Sequence, residues 1–193
     1  MARTKEFDPD QVLRRALELF WERGYEATSM SDLVEHLGIA RASIYSTFGG
    51  KRDLYLKALR QYLETTDPVI MDELSQPGPV LPAVRALVQR YVREASSPDS
   101  SLGCLVVNSA VELAHRDEAV ARLVEASWAH LETTLTSALL RARAQGELAA
   151  DANPRALARF LLVFFQGVRV LERTPDSAAR LRDAARVAVS VLG

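Results

Sequence analysis

At 193 residues, with 48% apolar side chains and a formal net charge of −1, the chain can bury a substantial core and is not a polycation coated in nucleic acid. A single cysteine excludes an intramolecular disulfide and fits a reducing compartment. No apolar run approaches the roughly 20 residues that span a bilayer, and Met1–Pro9 is charged rather than signal-like, so a soluble cytoplasmic protein with no membrane partner is expected.

Residues 1–7 read as a short arm carrying Arg3 and Lys5. Asp8 and Pro9 then open a helix, with Gln11 placed for a capping box, and Val12, Ala16, Leu19 and Phe20 form its apolar stripe up to Gly24. Ser29 and Asp32 make an S-x-x-D capping box for a second helix, which shows Leu33, Val34 and Leu37 on one face and stops at Gly38. A third short helix, about Arg41–Phe48, carries Ile44 and Phe48 four residues apart, so both point to one side. Arg41, Ala42, Ser43, Tyr45, Ser46 and Thr47 are left to its other faces. This is a helix-turn-helix with a small polar and aromatic outer surface, a shape that fits a B-DNA major groove. Arg41, Lys51, Arg52, Lys57 and Arg60 set a local basic patch beside it, opposed by Asp53.

Lys51–Glu64 is predicted as the next helix, and Asp67-Pro68 as the boundary between residues 1–66 and 67–193. Beyond it the pattern gives a loop at Gln76–Pro79, a helix ending near Ala95, and a loop at Ser96–Ser101. Gly103–Ala114 reads as a helix apolar on nearly every side, followed by a long amphipathic helix over Asp117–Gln145. Asn153-Pro154 and Thr174-Pro175 are read as two cap-then-proline starts for the last two helices. The expected fold class is all-α, about nine helices, with no strand-like alternation.

Through Val12–Leu63 the chain resembles the TetR-type bacterial transcriptional regulators. The resemblance rests on LELFWERGYEATSM, the D-L-V-x-x-L-G-I core, S-I-Y-S-T-F and G-K-R-D-L. Ile44, Tyr45, Phe48 and Lys51 match the family's recognition helix and the lysine that follows it. The family has Ser or Thr where this chain has Ala40, and losing that cap costs about 1 kcal/mol. The resemblance implies a homodimer on a palindromic double-stranded DNA operator, with half-sites roughly 34–36 Å apart. It also implies a C-terminal pocket for a small-molecule effector, and hence a ligand-released repressor. Tyr45 and Lys51 are then expected on phosphates, Arg41, Ala42, Ser43, Ser46 and Thr47 at or near bases, and Thr28 and Ser29 on phosphate.

The sensing half is read less sharply. Cys104, Asn108 and Val111 share a helical face by spacing, and Met71, Trp128, Phe160 and Phe164 are available as apolar walls of a ligand site. For each aromatic, ordinary core packing is the favoured reading. Phe160, Leu161, Phe164, Phe165 and Val168 put more bulk on one helix than one core needs. With Gly167, Val187 and Val191 they are the expected dimerisation surface. His36, His115 and His130 lack metal-ligand spacing, and no nucleophile elbow, Walker loop or dinucleotide fingerprint is present. No metal, cofactor or enzymatic activity is expected. The alternatives are a regulator that activates or needs no ligand, a redox-responsive regulator acting through Cys104, and a ligand-binding or enzymatic helical domain whose helix-turn-helix is structural.

Overall fold

A computed structural model describes residues 7–97 and 102–193. Among these residues the chain forms nine helices and no strand. They are α1 Pro9–Arg23, α2 Met30–Leu37, α3 Arg41–Phe48, α4 Lys51–Ser75, α5 Val80–Ala95, α6 Leu105–Glu112, α7 Glu118–Ala144, α8 Pro154–Leu171 and α9 Ala178–Ser190. The all-α expectation holds. The arm residues Arg3 and Lys5, and the loop residues 98–101, lie outside the described residues.

Helices begin where a short polar side chain can take an orphan amide. Ser29 and Asp32 form the expected reciprocal box, with bonds of 3.1 and 2.7 Å. Asn153 accepts the N–H of Ala156 at 3.1 Å. Asp8 bonds two residues on, to the N–H of Asp10, rather than forming a box with Gln11. Ala40 gives α3 no side-chain cap, as its methyl group dictates. α5 follows Pro79, which has no capping side chain, and its first amides are taken from a distance: the Glu147 carboxylate accepts the N–H groups of Val80 and Leu81, both at 2.8 Å.

Three elements depart from the sequence expectation. α4 does not stop near Glu64 but runs through Pro68 to Ser75, about 37 Å at 1.5 Å per residue. Pro68 leaves the Glu64 carbonyl without its helical donor, yet the ring is exposed, and Ile70 and Leu74 beyond it pack on the C-terminal core. Packing outweighs the local break. α6 starts only at Leu105, with Cys104 as its N-cap, and it is not buried all round, since Val111 is 74% exposed. The last helix begins at Ala178, because Thr174 bonds back to the Leu171 carbonyl at 2.7 Å and Asp176 turns left-handed at φ 60°.

Buried apolar side chains form two clusters. One joins Leu74 of α4 to α5, α7, α8 and α9 through Val84, Leu87, Leu135, Leu139, Leu161 and Phe165. The other gathers α1 to α4 around Phe20, Leu33, Ile44, Leu54 and Tyr55, and also takes in Leu105, Val106 and Leu113 and, from α7, Val120 and Val124. The helix-turn-helix unit therefore completes its core with side chains from far along the chain. Each fully buried Leu or Phe contributes about 1.5–3 kcal/mol, so this recruitment is a large part of the unit's stability.

Candidate nucleic-acid interface and internal cavity

Ile44 and Phe48 are buried, which turns the opposite side of α3 to solvent. Arg41, Ala42, Tyr45 and Ser46 are exposed there, and Ser43 and Thr47 lie half-buried at its margins. The Arg41 guanidinium stands 6.0 Å from the Tyr45 ring centroid, so the two form one cationic and aromatic projection. The Ser46 hydroxyl donates back to the Ser43 carbonyl at 3.2 Å. Gly50 opens α4 without a side-chain cap, which leaves its first amides for an anion. A Cβ at Gly50 would stand 3.2 Å from the Tyr45 ring, and its φ of 120° also excludes other residues.

Two expected phosphate contacts are placed differently. Thr28 is fully buried, and its hydroxyl donates to the Gly24 carbonyl at 2.7 Å, so it holds the α1–α2 loop and does not reach the surface. The Lys51 ammonium lies 4.1 Å from the Tyr25 ring centroid, at the base of α3. Ser29 is exposed; its oxygen caps α2 and its O–H remains able to donate. Arg15 of α1 donates to the carbonyls of His36 and Leu37 and so pins α1 to the end of α2. Arg52 leaves the basic patch for a two-pronged pair with Asp117, at 2.6 and 2.9 Å. That pair holds the Asp117 carboxyl below its usual range.

This last contact belongs to a set that joins the corner between α6 and α7 to the helix-turn-helix unit. Both Glu112 oxygens accept backbone N–H groups of the α1–α2 loop, from Tyr25 at 3.0 Å and Glu26 at 2.8 Å. Arg116 pairs with Glu26 at 3.1 Å. The Tyr55 and Ser109 hydroxyls share a buried hydrogen bond of 2.7 Å, and burial pushes the Tyr55 phenol up to about 12. Near the other end of α6, the Gly103 carbonyl accepts the Trp21 indole N–H at 3.0 Å. The signal for Glu112 in the sequence was an acid ending an otherwise apolar stretch.

At the N-cap of α6, Cys104 lines a cavity of about 260 Å³. Tyr62, Thr65, Thr66, Val69 and Ile70 of α4 form one wall, and Trp128, Leu131 and Thr134 of α7 another. Arg90, Tyr91 and Glu94 of α5, Val106 of α6, Ser127 and His130 of α7, and Gln166 and Arg169 of α8 contribute the rest. Of the residues expected to line one ligand site, only Cys104 and Trp128 meet here. The assumed Cys104–Asn108–Val111 face does not exist, because Cys104 precedes the helix. Asn108 and Val111 instead border an outer cleft with Trp21 and Arg173, where Arg173 donates to Asn108 at 3.0 Å. Met71 and Phe160 are exposed, and Phe164 packs against the C-terminal core.

The expected dimerisation residues also divide. Leu161, Phe165 and Val168 are buried in the C-terminal core, with Phe165 against the Tyr91 ring at 4.2 Å. The helical period turns Phe160 and Gly167 outward together with Val163 and Val170, which the sequence reading passed over. Val187 and Val191 project likewise from α9. Val163 is 71% exposed and Val187 59%, so the two helices carry an unpaired apolar face.

Comparison with known proteins fits this geometry. Residues 12–58 match the model of bacterial regulatory proteins of the tetR family, and residues 80–188 match that of the tetracyclin repressor-like C-terminal domain. The uncharacterized HTH-type transcriptional regulator YezE of Bacillus subtilis (strain 168) is 42% identical over the whole of both chains. The HTH-type transcriptional repressor ComR of Escherichia coli (strain K12) is 29% identical, over 95% of this chain and 88% of its own. Among solved structures, a cysteine mutant of the TetR family transcriptional regulator CifR, complexed with a 26-bp double-strand operator DNA, superposes with a TM-score of 0.84. It is 30% identical, and 98% of each chain is covered. Among the described residues no helix is long and apolar enough to cross a membrane. With a helix-turn-helix of this form and a helical body of dimeric TetR-like architecture, the chain belongs to the TetR family and is a DNA-binding transcriptional regulator rather than an enzyme.

Proposed function

We propose that the protein is a repressor that binds a palindromic operator as a homodimer and leaves it when a small molecule occupies the cavity beside Cys104. Residues 1–66 read DNA and 67–193 sense and dimerise, with α4 crossing the division. The observation that carries this reading is that cavity and DNA-binding unit share two helices. α4 has Tyr62 to Ile70 in the cavity wall and Lys51 at the base of α3. α6 has Cys104 in the cavity at one end and Glu112 on the α1–α2 loop at the other. A ligand that spreads the cavity wall must move one or both, and with them the spacing of the paired recognition helices. The shift is limited to the ligand's difference in affinity for the two arrangements. The repressor designation of ComR supports the direction of control.

At the DNA, the exposed Arg41, Tyr45 and Ser46 are assigned to base edges and the adjoining backbone. Thr47, Ser43 and Ala42 follow the groove. Lys51 turns from the Tyr25 ring to phosphate, and Ser29 donates to the phosphate next to it. The test is operator binding by fluorescence anisotropy after selection from random duplexes. Lys51→Ala is expected to weaken binding to every sequence and to flatten the salt dependence by about one phosphate per subunit. An unchanged slope removes the Lys51 contact, and failure to select any duplex removes operator binding. Cys104 in the cavity wall favours oxidation as a second release signal. In that case peroxide frees the wild type from DNA and leaves Cys104→Ser bound.

A further inference from the structure

Two guanidinium groups line the cavity, and each is already paired with two carboxylates. Arg90 donates to Glu73 at 2.9 Å and to Glu94 at 3.1 Å. Arg169 donates to the other oxygen of Glu94 at 3.0 Å and to Glu172 at 3.1 Å. The result is an alternating chain, Glu73–Arg90–Glu94–Arg169–Glu172, closed by a carboxylate at each end. Each guanidinium is shared between two carboxylates, so neither offers an uncompensated charge to an acid. A carboxylate or phosphate guest would have to displace one of these partners and strand it in a partly buried site. Both oxygens of Glu94 are also committed, and the Arg169 guanidinium is stacked 4.5 Å over the Tyr91 ring.

The rest of the lining is three aromatic rings (Tyr62, Tyr91 and Trp128), aliphatic side chains, small hydroxyl groups, Cys104, Gln166 and, on the solvent side of α7, His130. Two donors on the lining residues are buried without an acceptor, the Arg90 Nε–H and the Trp128 indole N–H. An indole nitrogen has no hydrogen-bonding capacity beyond that one N–H. A buried donor left this way costs about 1–3 kcal/mol, which a ligand acceptor would recover. The Tyr62 hydroxyl spends its proton on the Cys104 sulfur at 3.7 Å, a weak partner that an oxygen acceptor would replace. Size is a further guide. A cavity of about 150 Å³ holds benzene, so about 260 Å³ has room for a fused bicycle or a chain of similar bulk.

From these facts we infer that the effector is a compact, uncharged molecule carrying a hydrogen-bond acceptor, seated between the Trp128, Tyr62 and Tyr91 rings with that acceptor on the Trp128 indole N–H. The inference rests on the cavity being the effector site. Its test uses the full chain and a matched set: indanone and other uncharged bicyclic ketones, lactones and lactams, indane as the form without an acceptor, and the corresponding carboxylates. Direct binding is read by calorimetry without DNA and operator release by anisotropy.

An uncharged acceptor-bearing member should bind tightest, with its carboxylate at least about tenfold weaker and indane about three- to tenfold weaker. Trp128→Phe, which keeps a ring and deletes the N–H, should weaken the best ligand by a similar factor. A carboxylate that binds best, an indane equal to indanone, no binding by any uncharged member, or a folded Trp128→Phe that binds unchanged overturns the inference. If that variant does not fold, the three-way comparison on the wild type decides alone. Tight, Trp128-dependent binding without operator release leaves the ligand class standing and removes the effector role proposed above.

Discussion

The Glu112 carboxylate accepts the Tyr25 backbone N–H at 3.0 Å across 87 residues of sequence, and its second oxygen takes the next amide in the chain. A carboxylate bonded by two backbone amides makes charge-assisted hydrogen bonds at a fixed orientation. The loop it holds leads directly into α2, so the end of α6 sets where the helix-turn-helix begins. Gly24 precedes these amides on the loop; a Cβ there would lie 3.2 Å from both Glu112 oxygens, and its φ of 84° disfavours other residues.

Replacing Glu112 with Gln puts an amide donor against one of the two backbone donors. The unfolding free energy should fall by about 1–3 kcal/mol, and operator affinity should fall with it because the loop loses its anchor. Urea denaturation with anisotropy on the same samples checks this. Unaltered stability would mean that solvent replaces the carboxylate without loss.

The pair between Arg52 and Asp117 predicts a dependence on pH. Asp117 has its carboxyl below the ordinary value of 3.8, chiefly through the Arg52 hydrogen bond. A carboxyl depressed in the folded state stabilises above its unfolded value, and the contribution fades as pH falls through the lower folded value. Arg52→Ala removes the main cause. Wild type should therefore exceed the variant in stability by a constant margin at neutral pH, and the two should converge in acid below that ordinary value. The pair is solvent-exposed on the Arg52 side, so the margin should also shrink with added salt. Melting curves across pH and salt measure both.

Ala40 precedes α3 with φ −62° and ψ 146°, an extended geometry suited to a capping residue, and is itself exposed. Ala40→Ser should add the missing bond to an amide of the first turn and raise stability by about 0.5–2 kcal/mol. Operator affinity should rise or stay level, because the recognition helix becomes better ordered without a new group on its outer face. A loss of stability in denaturant titrations would show that the loop cannot turn the hydroxyl inward.

Residues two apart on α8 should behave oppositely. Val163→Glu places a charge on the unpaired apolar face and should yield a folded monomer that binds operator poorly. Leu161→Ala opens a cavity in the C-terminal core and should cost about 2–5 kcal/mol while any surviving fold remains dimeric. Sedimentation combined with circular dichroism separates the two outcomes. A dimeric Val163→Glu variant would move the interface off α8.

What could be read from residues alone was the local structure. The Ser29–Asp32 box, the Gly38 stop, and Ile44 and Phe48 turned inward all follow from short-range spacing and appear as expected. What escaped depended on partners distant in sequence. Pro68 looks like a boundary until Ile70 and Leu74 are seen packed beyond it. Cys104 and Asn108 look like neighbours on one face until the helix is seen to begin between them. Leu161 and Val163 are equally apolar in sequence, and only the arrangement of α8 on α5 and α7 decides which one meets solvent. Arg90 and Arg169 carried no local signal, since each acquires its role from carboxylates on other helices.

The sharing of Leu105, Leu113, Val120 and Val124 with the reader's interior has a consequence for anyone wishing to re-wire the protein. A graft that transplants only the first third of the chain onto a foreign sensor would strip Tyr55 of its cover and leave Glu112's two amides bare. Successful hybrids should carry the α6–α7 corner along with the reader, making the swappable unit discontinuous in sequence.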